Sequence, residues 1–137
     1  MIVFTASHSC YANVVLDYLD PEKRYIHHRL FREHCYATPE GMHIKDLRVL
    51  NREMSDMVLV DNAAYSYLHQ LDNGIPIIPY YKGADDYELK ALESYVDSML
   101  LVKDMRLVNR RTFKLQEYRN YFHNLEKLVE DLYLVDH

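Results

Sequence analysis

Met57-Val58-Leu59-Val60-Asp61-Asn62 sets an uninterrupted apolar run directly before an acid and an amide. A short run of this kind, bounded by polar residues, is the pattern of a strand buried on both faces of a sheet. A second such run opens the chain as Ile2-Val3-Phe4, followed by Thr5-Ala6-Ser7. It predicts a buried strand that feeds a helix start, with Ser7 or Ser9 as the N-cap. Tyr11, Val14, Val15, Tyr18 and Leu19 then recur at helical spacing, and Asp20-Pro21 stops the helix.

The rest of the chain can be read outward from these two strands. Tyr25 to Phe31 is β-favouring and predicts another strand, and Pro39-Glu40-Gly41 marks a turn inside a hairpin insertion between His34 and Ile44. Asp46 to Leu50 reads as a short helical piece. Gly74-Ile75-Pro76-Ile77-Ile78-Pro79 is β-rich, but its prolines confine it to an edge or to strand ends. From Asp85 the pattern turns helical, with Leu89, Leu92, Tyr95, Val96 and Met99 on one face and Asp85 or Asp86 as cap. A basic, less hydrophobic stretch runs from Lys103 to Lys114, and a last amphipathic helix is expected from Leu115 to Leu134. Strands alternating with helices predict an α/β fold with a largely parallel sheet, whose ligands sit at the carboxyl ends of the strands. Thr5 and Asp61 both stand at such ends.

Composition bounds the class. At 137 residues and 49% hydrophobic content, the chain is one domain at most and long enough to bury a core. Its net charge of −5 offers no basic field for nucleic acid. The two cysteines, Cys10 and Cys35, make no disulfide framework and suit a reducing compartment. No apolar run reaches the ~18 residues of a membrane span, and the N-terminal residues do not read as a signal peptide. The eight histidines show no four-residue helical spacing of the kind that binds zinc, so zinc is not expected. The thirteen tyrosines are scattered evenly, which fits core and rim packing better than a binding surface.

The strand ends suggest chemistry. Thr5 offers a hydroxyl and nearby backbone N–H groups to an anionic oxygen. Asp61-Asn62 offers the oxygen ligands that a hard cation such as Mg²⁺ takes, and Lys45 can reach a phosphate as a point charge. Taken singly, each part is more often structural: a helix cap, a turn, a solvated lysine. Together they point to phosphoryl chemistry.

Val3-Phe4-Thr5-Ala6-Ser7, Leu30-Phe31-Arg32-Glu33-His34-Cys35, Ile44-Lys45-Asp46-Leu47 and Val58-Leu59-Val60-Asp61-Asn62 occur in an ordered series. Asp72-Asn73-Gly74-Ile75-Pro76-Ile77 and Asp85-Asp86-Tyr87-Glu88-Leu89 extend it. The series resembles the small phosphatases that act on the C-terminal domain of RNA polymerase II, a branch of the haloacid dehalogenase superfamily. The likeness covers roughly residues 1 to 112. It implies that Thr5 holds a phosphate oxygen, that Lys45 neutralises the phosphoryl group, and that Asp61 and Asn62 bind Mg²⁺. By the same resemblance Arg32 contacts the phosphorylated peptide, with Tyr11 as an aromatic near the same groove, and His8 stands where relatives often carry an apolar residue.

The resemblance also implies a departure. The family's first strand ends in Asp-x-Asp-x-Thr, which supplies the nucleophile and the general acid–base, and this motif does not occur in the sequence. The expected fold is therefore a haloacid-dehalogenase-like Rossmannoid parallel sheet with a small β insertion, missing its first central strand. Residues 1–112 are expected to form an incomplete phosphatase-like domain and residues 113–137 a helical extension. The implied function is a protein serine/threonine phosphatase domain, truncated and inactive as this chain. The alternative is a pseudophosphatase that binds a phosphopeptide or a protein partner. Expected partners are a phosphoprotein and either a second copy or another chain completing the sheet, in the nucleus or cytoplasm, with no direct nucleic acid and no membrane.

Overall fold

The computed structural model describes residues 1–83 and 85–120, and these form two compact units. The first comprises residues 1–52 with 63–70, the second residues 53–62 with those from 71 onward. The architecture is mixed α/β with small parallel sheets, compatible with a haloacid-dehalogenase-like fold.

In the first unit, β1 (Ile2–Phe4) and β2 (His28–Leu30) run parallel, with Ile2 opposite His28 and Phe4 opposite Leu30. A parallel pair needs a crossover, supplied by helix α1 (Ser9–Leu19). The helix stops as the Asp20-Pro21 pair predicts, and the side chain shows how. The Asp20 carboxylate accepts backbone N–H bonds from Arg24, Tyr25 and Ile26 at 3.0, 2.9 and 2.8 Å, which turns the chain towards β2. The N-cap differs from expectation. His8 holds the cap position with no side-chain cap bond, and Ser9 is already helical. Ser7 instead donates its backbone N–H to the Thr5 hydroxyl at 3.1 Å, so the serine-rich turn is fastened to the strand end rather than to the helix.

Ala12 and Leu16 are the buried residues of α1. Tyr11, Val14, Tyr18 and Leu19 lie on exposed ground, Tyr18 at 85%. The insertion is present as an antiparallel hairpin of β3 (Tyr36–Ala37) and β4 (His43–Ile44), turning through Gly41 at φ +84°. Leu47–Leu50 forms a 3₁₀ turn capped by Asp46. Ile26, Ile44, Leu47 and Tyr67 join Ala12 and Leu16 in this unit's core.

In the second unit, β5 (Leu59–Asp61) pairs in parallel with β6 (Gly74–Pro76), Leu59 opposite Gly74 and Asp61 opposite Pro76. Pro76 closes β6, in keeping with a proline's missing donor. Asn73, 2% exposed, donates to the carbonyls of Met54 and Met57 at 2.7 and 2.8 Å and so holds the entry to β5. Helix α2 (Glu88–Met99) carries Leu92, Tyr95 and Val96 half-buried and Met99 buried. Leu89, expected on the same face, is 71% exposed. Tyr87 is the cap residue, while the Asp86 carboxylate accepts from the Glu88 N–H at 2.8 Å. The basic stretch folds as α3 (Met105–Phe113), capped by Asp104 through the Arg106 N–H at 3.0 Å. Residues 115–120 are helical, as the pattern from Leu115 predicts; the rest of that expected helix lies outside the described residues.

Among the described residues, β1 pairs with β2 alone and β5 with β6 alone, so each parallel sheet has two strands.

Candidate functional site

Thr5 follows β1 directly, and its backbone N–H donates to the Leu30 carbonyl at 2.9 Å, one step beyond the last strand pair. The Thr5 hydroxyl accepts from Ser7 N–H and keeps its own hydrogen for an acceptor. Arg32 is brought to the same loop from the end of β2. Its backbone N–H donates to the Ser7 carbonyl at 3.1 Å, and its Nε donates to the Ala6 carbonyl at 2.6 Å. Arg32 Nη1 lies 3.1 Å from His8 Nε2, a contact that places the imidazole beside the guanidinium. An Arg nitrogen is always a donor, so this geometry assigns the acceptor role to His8 Nε2. Arg32 thus packs against the loop that runs from Thr5 to His8. Tyr11, in the first turn of α1, is 66% exposed.

Lys45 follows β4, and its backbone N–H is anchored to the Ser66 carbonyl at 2.8 Å. The next residue, Asp46, is buried at 9% exposure and carries the densest side-chain network of this unit. It accepts from the Arg48 N–H at 3.0 Å, from Arg48 Nε at 2.9 Å and from Gln70 Nε2 at 2.9 Å, with a further close pair to Arg48 Nη2. His69 Nδ1 stands 3.1 Å from the same carboxylate, and the His69 ring packs on Tyr36 of β3 at 5.3 Å. The Arg48 guanidinium, followed by the other donors, holds the Asp46 carboxyl well below the usual carboxylate range despite its burial. Sequence reading named Lys45 as a phosphate-binding candidate and did not foresee the network of Asp46 with His69 and Gln70. The available signal was the Lys-Asp-Leu context; the partners lie 23 and 24 residues away.

Asp61 and Asn62 belong to the second unit. Asp61 ends β5 and is 9% exposed, and Asn62 is exposed beside it. The Asp61 carbonyl accepts from the Ile77 N–H at 3.3 Å, which extends the β5–β6 ladder past Pro76. Asn62 lines a cavity of about 660 Å³ together with Ile77, Ile78, Pro79, Tyr80 and Lys90. Among the described residues no three His, Cys, Asp or Glu side chains stand close enough to hold a metal ion together. Asp61 and Asn62 offer one carboxylate and one amide oxygen. Mg²⁺ is commonly held by one or two carboxylates with water and substrate oxygens completing its octahedron, so this pair fits a share of that shell.

In open α/β sheets ligands sit at the carboxyl ends of the strands, the positions that Thr5 and Asp61 hold in their own units. Comparison with known proteins makes the class specific. The profile of the NLI interacting factor-like phosphatases matches residues 1–106, and the chain belongs to that family of haloacid-dehalogenase-type phosphatases. It is 42% identical over 123 residues to a CTD small phosphatase-like protein 3 of Caenorhabditis elegans, covering 89% of this chain and 42% of that protein. It is 43% identical over 120 residues to a probable C-terminal domain small phosphatase of Dictyostelium discoideum, covering 88% and 37%. With CTD nuclear envelope phosphatase 1 of Xenopus laevis it shares 35% identity over 111 residues, covering 81% and 45%. The chain therefore spans less than half the length of these relatives. Among the described residues no helix is long and apolar enough to cross a membrane.

Proposed function

We propose that these residues form the phosphate- and metal-binding part of a protein serine/threonine phosphatase domain of the polymerase C-terminal-domain type. The observation that carries this reading is the family match over residues 1–106; within their separate units, Thr5 follows one parallel strand and Asp61 ends another. In this reading the Thr5 hydroxyl donates to a phosphate oxygen, and Lys45 neutralises the phosphoryl charge. Arg32 forks onto the phosphorylated segment, and Tyr11 flanks it. Asp61 and Asn62 hold Mg²⁺, which supplies Lewis-acid stabilisation of the phosphoryl oxygens. Residues 1–112 make up this part of the domain, and residues from 113 onward lie outside it. A nuclear or cytoplasmic setting agrees with Cys10 and Cys35, which form no disulfide.

No Asp-x-Asp-x-Thr occurs in the 137 residues; in the phosphatase reading the nucleophile and the general acid–base come from a strand outside them. Support comes from β1 and β5, each paired on one side within the described residues. Alone, the chain binds metal weakly and hydrolyses nothing. The same absence favours a second reading, a pseudophosphatase that holds a phosphopeptide through Thr5, Lys45 and Arg32 without turnover.

The test is Mg²⁺-dependent hydrolysis of an aryl phosphate by the folded 137-residue chain. The same chain is assayed with an Asp-x-Asp-x-Thr strand fused ahead of Met1, and again with Asp61→Asn in that fusion. Activity appearing only in the fusion, and lost with Asp61→Asn, supports the phosphatase reading. Phosphopeptide binding with no turnover in either form supports the pseudophosphatase. Metal-dependent activity in the unextended chain sinks the proposal that its nucleophile lies elsewhere.

A further inference from the structure

Three consecutive residues, Lys45, Asp46 and Leu47, are fastened one by one to the 66–70 stretch. The Lys45 N–H donates to the Ser66 carbonyl at 2.8 Å. The Asp46 carboxylate accepts from Gln70 Nε2 at 2.9 Å. The Leu47 N–H donates to Gln70 Oε1 at 3.1 Å. Gln70 therefore uses both ends of one amide, giving a hydrogen to Asp46 and accepting one from Leu47. Arg48 closes the carboxylate from its own side, through Nε at 2.9 Å and its backbone N–H at 3.0 Å. Asp46, buried and ionised, is tolerable only because these donors surround it.

A lysine side chain is a point charge on a flexible four-carbon stem, so where its charge falls depends on how firmly its peptide is held. We infer that Gln70, acting through Asp46 and Leu47, is a positioning residue that sets the Lys45 peptide for phosphate. The inference rests on the phosphate reading of Lys45 and adds the residue that makes the lysine's placement definite. Of the polar side chains of this length, a neutral amide is the one that donates and accepts at once in a fixed plane. A glutamate at this position reproduces that only while it is protonated. Once ionised it still accepts from Leu47, but it sets a second carboxylate against Asp46.

The test is Gln70→Glu in the 137-residue chain, titrated with inorganic sulfate. Sulfate keeps its charge across the range in which a carboxyl group titrates. Binding is followed through the Thr5 and Lys45 amide resonances, and hydrogen exchange of the Leu47 amide reports the latch. Affinities are taken as ratios to the unsubstituted chain at each pH, from about pH 4.5 to about pH 8. Gln70→Glu is expected to match the unsubstituted chain at the acid end. It should weaken on the order of tenfold at the alkaline end, with Leu47 exchange accelerating in step. Gln70→Met, neutral and of similar length, is expected to be weak at every pH, and it carries the test should the charged variant fail to fold. Sulfate affinity unchanged in the substituted chains while Leu47 exchanges freely overturns the inference and leaves the phosphate reading standing. Sulfate affinity indifferent to Lys45→Ala overturns the phosphate reading, and the inference falls with it.

Discussion

Tyr95 in α2 donates its hydroxyl hydrogen to Oδ1 of Asn109 in α3 at 2.9 Å, and Asn109 is 2% exposed. The other end of that amide donates to the Asp72 carbonyl at 3.0 Å, so one buried side chain joins two helices and the approach to β6. Tyr95→Phe removes one neutral hydrogen bond and should cost about 1 kcal/mol. Asn109→Ala loses both bonds, strands a buried carbonyl and should cost about 3 kcal/mol. Urea unfolding of the two variants and their double checks this. The double should cost less than the sum, because the Tyr95 bond is removed in both singles. Full additivity would mean that the bond contributes nothing.

Asp20 closes α1 by accepting three backbone N–H groups, and chiefly the Ile26 bond holds its carboxyl below the ordinary range. A group whose folded pKa is depressed contributes stability that is complete above its unfolded value and is lost as pH falls through the folded one. Asp20 should therefore support the fold above about pH 4 and fail progressively below it. Asp46 behaves with the same sign. Asp20→Ala should lower the melting temperature at neutral pH and flatten its acid-side decline. Parallel melting curves for variant and parent across that window would contradict the assignment.

The first parallel unit was legible because its signals are local. An apolar triplet, a helical period and an Asp-Pro stop lie within one stretch, and the hairpin announces itself in Pro39-Glu40-Gly41. What failed was set by contacts distant in sequence. Helix α3 reads as a basic stretch because Arg106, Arg110 and Arg111 outweigh its apolar residues. It is fixed by the Asp104 cap and by Asn109 and Arg110 reaching Asp72, 37 and 38 residues away. The N-cap was misplaced because the cap position falls on His8, between the two serines, with no side-chain bond to mark it. Arg32 was reached only through the family resemblance, since no local rule joins the loop after one strand to a residue beyond the next. The latch on Lys45 was invisible for the same reason.

Asp61, buried at the end of β5, and exposed Asn62 should respond to Mg²⁺ as a pair. Two protein oxygens leave most of the octahedral shell to water, so affinity should be weak, in the millimolar range (~1 mM or above). Amide shifts at residues 61 and 62 on Mg²⁺ titration, absent in Asp61→Asn, are the expected outcome. Shifts that persist in that variant would place the cation elsewhere.

Helix α1 turns a stripe of large apolar side chains outward, with Tyr11 at 66%, Val14 at 69%, Tyr18 at 85% and Leu19 at 65% exposure. Their spacing repeats every three to four residues, so they form one continuous face rather than scattered surface positions. Water-exposed apolar area on this scale favours association, whether with another copy or with polypeptide that completes the sheet. The isolated chain should therefore sediment as a concentration-dependent mixture. Val14→Glu with Tyr18→Lys, a pair at four-residue spacing that adds no helix-breaking residue, should shift it to monomer without loss of helical signal. The same pair should abolish gain of activity in the strand-fused form if that face packs on the added segment, and leave it intact if the face joins copies. A parent chain that is monomeric at high concentration, with the variant sedimenting identically, would show that the stripe drives no self-association.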